Sequence, residues 1–101
     1  MSYMIFTPVG ATVNLAVTGT TGRVALNKVT TASRSVRVHN AGAATAFINF
    51  GGSTVEAAVA SSLPLPPGAV EWFEIGDQVT NVAAITSAGS TTIYATEGFG
   101  S

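Results

Sequence analysis

Apolar and polar residues alternate with a period of two over several short stretches, and no stretch sustains the 3.6-residue spacing of an amphipathic helix. From Thr12 to Thr18 the alternation is strict. Val13, Leu15 and Val17 share one face and Thr12, Asn14, Ala16 and Thr18 the other, which predicts a half-buried strand. Gly19-Thr20-Thr21-Gly22 reads as a turn, and Val24 and Leu26 make a short second strand. Residues 28–33 are polar and β-branched, a loop or weak edge. Arg34 to His39 alternates again with Val36 and Val38 inward, and Asn40-Ala41-Gly42-Ala43 supplies a turn. Ala46, Ile48 and Phe50 then face the core, with Phe47 on the other side and Gly51-Gly52 at the end. These two segments predict a hairpin.

Residues 53–62 fit either a strand or one helical face. Thr54, Val55 and Val59 are β-branched and Ser61-Ser62 form helices poorly, so extended chain is expected. Leu63-Pro64-Leu65-Pro66-Pro67-Gly68 bars both a helix and a central strand, because proline lacks an N–H and fixes φ. It predicts a stiff connection crossing from one part of a β-fold to another. In the strand that follows, Val70 and Trp72 share one face and Phe73 and Ile75 the other. Both faces are apolar, as a central strand would be. Gly76-Asp77 turns the chain into residues 79–85, Ala88-Gly89 turns it again, and residues 91–96 form the last strand with Ile93 and Ala95 inward.

The expectation is an all-β, single-domain β-sandwich or jelly-roll-like barrel of seven to eight short, mostly antiparallel strands. The domain spans residues 1–101, with an N-terminal arm at 1–10 and a short, flexible C-terminal tail at 97–101. The predicted core comprises Val13, Leu15, Val36, Val38, Ile48, Phe50, Trp72, Phe73, Ile85 and Ile93. The arm carries Tyr3, Ile5, Phe6 and Val9 and the tail Phe99, apolar residues without an evident strand partner. They are the candidate interface residues.

Charge changes this picture. Charged residues are 9% of the 101-residue chain, against about 25% in ordinary soluble domains. A domain of this size exposes much of its surface. Two readings stand: a neutral monomer coated in Thr and Ser, or a surface covered by copies of itself or a larger assembly, and the second is favoured. The four basic residues, Arg23, Lys28, Arg34 and Arg37, are too few to track a phosphate backbone, so nucleic acid is not an expected partner. No run of about 18 apolar residues predicts a membrane span. The first residues lack a basic segment, so no signal peptide is expected. The absence of cysteine removes disulfides and thiolate metal sites and is compatible with the cytoplasm.

Candidate chemistry is sparse. His39, Asp77 and a serine could be named as a triad, but no nucleophile-elbow spacing supports them, and a solvated strand-end histidine is the simpler reading. Glu71 and Glu74, three apart on a strand, would point to opposite faces and could not flank one bond. Zinc, calcium and phosphate-loop spacings do not occur. Trp72, Tyr94 and Phe99 would make a sugar-stacking platform if exposed, although Trp72 on a central strand reads as core. The chain is therefore expected to be no enzyme and to need no cofactor.

The succession Val36-Arg37-Val38-His39-Asn40-Ala41-Gly42-Ala43-Ala44-Thr45-Ala46-Phe47-Ile48-Asn49-Phe50-Gly51, then Leu65-Pro66-Pro67-Gly68-Ala69-Val70-Glu71, then Thr91-Thr92-Ile93-Tyr94-Ala95-Thr96-Glu97-Gly98 resembles small β-sandwich decoration (cement, or auxiliary head) proteins of tailed bacteriophages. The likeness covers residues 34–98 and is carried by the rhythm of strands and turns. It implies a non-enzymatic virion protein on the capsid surface, assembled in the host cytoplasm. Its expected partners are the major capsid protein and copies of itself, a trimer rather than a dimer. The alternative is a tail or fibre appendage module contacting host-surface glycans.

Overall fold

The computed structural model describes residues 7–9, 11–26, 34–76 and 78–99, with Arg34 and Phe99 described by their backbone. Among the described residues nine strands follow one another: β1 (Thr7–Pro8), β2 (Val13–Val17), β3 (Gly22–Ala25), β4 (Arg34–Asn40), β5 (Ala46–Gly51), β6 (Leu63–Leu65), β7 (Val70–Ile75), β8 (Asn81–Ile85) and β9 (Thr91–Phe99). They form two antiparallel sheets. The first has the order β1-β9-β4-β7, with β2 also paired to β9, and the second has the order β3-β8-β5-β6. The expected all-β sandwich is the observed fold. The alternation of its strands between sheets is that of a jelly roll.

Every connection changes sheet except β1 to β2 and β5 to β6. The predicted hairpin at residues 34–51 is therefore not one. β4 lies in the first sheet and β5 in the second, and residues 41–45 carry the chain across. The local pattern is equally compatible with a hairpin and a crossover, because both need a tight turn between alternating strands.

The period-two pattern decides what is inside. Val36 and Val38 of β4, Ile93 and Ala95 of β9, Ile75 of β7 and Val17 of β2 face Ala46 and Ile48 of β5, Leu65 of β6 and Val82 and Ala84 of β8. Val13, Leu15, Phe50 and Phe73 pack against this cluster at its margins. Phe50 and Phe73 meet across the two sheets, ring centroids 5.1 Å apart and tilted by 56°, and close one end of the sandwich.

Asn40 closes the other end. It is fully buried, and its side chain uses its whole hydrogen-bonding capacity. Nδ2 donates to the carbonyls of Ala44 and Leu65, both at 2.8 Å. Oδ1 accepts from the Gly42 amide at 3.2 Å and the Thr91 hydroxyl at 2.5 Å. Its backbone amide donates to Ala69 and its carbonyl accepts from Gly68. One residue thus ties the crossover, both sides of the proline-rich stretch and the start of β9.

That stretch is neither a helix nor a central strand, as its composition dictates, but its first half is a paired strand rather than a bare connection. Leu63-Pro64-Leu65 forms a three-residue edge strand, and Pro66-Pro67-Gly68 turns the chain into the first sheet. The Ala69 amide donates to Pro66 and Gly68 has φ 79°, a type II turn with proline and glycine where that turn requires them.

Several expectations are corrected. Trp72 is not core: it is 46% exposed, because β7 is an edge strand of the first sheet and Trp72 lies on its outer face. Ile85 is only partly buried and sits opposite Phe47, whose row is the outer one of the second sheet. Residues 53–62 are not a strand. They cross the outer face of the second sheet as a loop, held where Arg23 Nη1 donates to Val55 O, Asn49 Nδ2 to Glu56 O, and the Ala57 amide to Thr21 Oγ1. This cover explains why Ala83, an outward position, is fully buried. Residues 97–99 are not a loose tail. They extend β9, paired to Thr7–Pro8, and Glu97 is fully buried on the inner row beside Val36. Residues 28–33, Asp77, Gly100 and Ser101 lie outside the described residues.

Candidate interaction surface

The outer face of the first sheet collects the side chains that alternation sends away from the core. β4 lies between β7 and β9, so its register fixes the rows. Trp72 stands opposite Arg37, which stands opposite Thr96; Val70 stands opposite His39, which stands opposite Tyr94. Pairing of β2 with β9 adds Asn14 beside Tyr94.

These neighbours touch. The Arg37 guanidinium lies over the Trp72 ring, 5.9 Å from its centroid. His39 and Tyr94 stack with centroids 6.5 Å apart and planes 29° from parallel. Thr12 and Thr96 share a hydroxyl–hydroxyl hydrogen bond of 2.5 Å. Tyr94 remains 40% exposed, and no described strand flanks Trp72 on the side away from Arg37. His39 is half-buried against Tyr94 rather than free in solvent, as the sequence suggested.

Glu71 and Glu74 do lie on opposite faces of β7, opposite Val38 and Ser35 respectively. They do not form a carboxylate pair. Among the described residues no three of His, Asp and Glu come together in a metal-binding arrangement. No helix of the described residues is long and apolar enough to cross a membrane.

Of the sequence-predicted interface residues, Tyr3, Ile5 and Phe6 lie outside the described residues. Val9 is half-buried, its amide donating to the Glu97 carbonyl at 2.8 Å. Phe99 pairs with Thr7 through the backbone. Thr7–Pro8 of the arm therefore have a strand partner within the domain, where the sequence indicated none.

The four sheet edges differ in how they are guarded. β6 contains Pro64, β7 contains Glu71 and Glu74, and β3 is four residues with Arg23 among them. β2, with sequence Val-Asn-Leu-Ala-Val, has neither charge nor proline. β1 runs along the same flank of β9, so Thr7–Pro8 and the unguarded strand belong to one side of the first sheet.

No family model matches this chain, and no curated protein does. Among solved structures it is similar to one described as "Bacillus endospore appendages form a novel family of disulfide-linked pili", with a TM-score of 0.56 and 10% identity over 98% of this chain and 91% of that one. At that identity the likeness is one of fold. These 101 residues contain no cysteine with which to form a disulfide.

Proposed function

We propose that this chain is a non-enzymatic structural subunit that associates with copies of itself and decorates and stabilises a bacteriophage capsid. The single observation that carries the reading is the unguarded β2 edge on a domain whose surface is poor in charge. An open strand presents unpaired N–H and C=O groups, a hazard in a free monomer and a ready surface in an ordered assembly where a neighbour covers it. Thr7–Pro8 of the arm lie on the same flank, and the rest of the arm carries the apolar residues Tyr3, Ile5 and Phe6. The resemblance of residues 34–98 to decoration proteins supports the capsid as the lattice, the major capsid protein as the partner and a trimer as the oligomer.

A second reading, a tail or fibre appendage module, is favoured by the likeness of fold to a pilus-forming appendage protein. Co-sedimentation with empty capsids separates the two. Binding to capsids supports decoration; localisation to tails or fibres in purified virions, with no capsid binding, supports the appendage. A chain that stays monomeric at high concentration in light scattering and binds neither structure overturns both.

A further inference from the structure

We infer that the outer face of the first sheet is a carbohydrate-binding surface that takes a neutral hexose oligosaccharide laid from Trp72 to Tyr94. The inference is separate from the assembly reading, since it uses the β7–β4–β9 face rather than the β2 edge.

Four large apolar side chains are exposed among the described residues, and they divide by kind. The aliphatic pair, Val59 and Leu63, belongs to the loop and edge of the second sheet. The aromatic pair, Trp72 and Tyr94, is on the outer face of the first. Aromatic faces carry a negative quadrupole and pack against the weakly positive C–H groups on the face of a pyranose ring, while Trp and Tyr keep a polar handle for water or hydroxyls. Two strand spacings and a two-residue step separate the pair, about 10 Å across and about 7 Å along the strands. That distance suits a short oligosaccharide rather than a single ring.

Arg37, His39, Val70 and Thr96 lie between the rings. Arg37 and His39 occupy the intervening strand, each already held against one of the two rings. Contact with an aromatic neighbour orients the guanidinium and imidazole, so a hydroxyl meets donors with reduced freedom to lose. Asn14 adds an amide next to Tyr94. Among the described residues the formal charges on this face are Arg37 and Glu74, which cancel and favour a neutral ligand. Sugar hydroxyls satisfy these polar groups directly; a second copy of the chain is the rival occupant, since protein interfaces also use Trp, Tyr and Arg, and the experiment below separates the two.

The single tryptophan provides the readout. The full-length protein is applied to a glycan array, and each oligosaccharide retained is titrated against Trp72 fluorescence. A saturable emission change with a neutral hexose oligosaccharide is expected. Tyr94→Ala and Arg37→Ala, which keep the fluorophore, should each weaken binding by about tenfold, equivalent to 1.4 kcal/mol. Arg23→Ala on the other sheet should leave affinity unchanged. Circular dichroism confirms that each variant is folded. No oligosaccharide retained on the array, or affinity unmoved in both Tyr94→Ala and Arg37→Ala, overturns the inference. An emission change that follows protein concentration and ignores sugar also overturns it, showing a second copy on this face. Capsid co-sedimentation reads the assembly independently, so either idea can fail alone.

Discussion

The Thr91 hydroxyl at the start of β9 donates to Oδ1 of Asn40 at the end of β4, 2.5 Å away and 51 residues distant in sequence. The pair is buried, and the same Asn40 also reaches the Leu65 carbonyl on the opposite sheet. Asn40→Ala would leave two carbonyls, one amide and one hydroxyl without their partner. The expected loss is about 3 kcal/mol or more in urea unfolding, since each buried orphan costs about 1–3 kcal/mol. Thr91→Val, which keeps the shape and removes one hydrogen bond, should cost about 1 kcal/mol.

Gly42 is required by the same corner. A Cβ added there would lie 2.7 Å from the Thr91 Cα and collide with the Thr91 hydroxyl. Gly42→Ala should destabilise by about 2–3 kcal/mol, and trimming Thr91 to Ser should not rescue it because the backbone contact remains. Gly52→Ala has open space around it and should change stability by less than about 0.5 kcal/mol.

Trp72→Ala should cost only about 1 kcal/mol, because the ring is half-exposed on an edge strand. Ile48→Ala and Leu65→Ala, fully buried in the second sheet, should cost about 2–5 kcal/mol each. Paired thermal melts check the ranking. A Trp72 loss matching that of Ile48 would place the indole in the core after all.

If β2 is the associating edge, a charge on it should disperse the assembly. Ala16→Lys, at an exposed β2 position, should shift light scattering toward the monomer with the melting temperature unchanged. Ala25→Lys on the β3 edge, equally exposed, is the control and should leave association intact.

Deletion of residues 1–9 tests the arm. The variant should stay folded over residues 12–96 by circular dichroism while self-association or capsid binding weakens. Loss of fold would instead show that β1 serves the sandwich by pairing with Gly98 and Phe99 at the end of β9.

Much of this was written in the chain. The period-two runs at Val13–Val17, around Val36 and Val38, and at Ile93 and Ala95 were legible because alternation is a local property, and each buries the predicted face. Pro64, Pro66, Pro67 and Gly68 likewise excluded a helix and a central strand through their own dihedral limits, although the paired edge strand Leu63–Leu65 was read only as a connection. What tertiary structure alone decided was which strand neighbours which. Residues 34–51 look like a hairpin, yet the chain changes sheets there. The deciding contacts come from Leu65 and Thr91, 25 and 51 residues beyond Asn40. The candidate surface was hidden for the same reason. A strand apolar on both faces reads as central; Trp72 is instead an exposed ring beside Arg37 because it lies on the outer face of β7, which has no described strand beyond it. Pairing across β4 then sets that ring near Tyr94. No local pattern encodes that proximity, since it depends on three strands meeting in register.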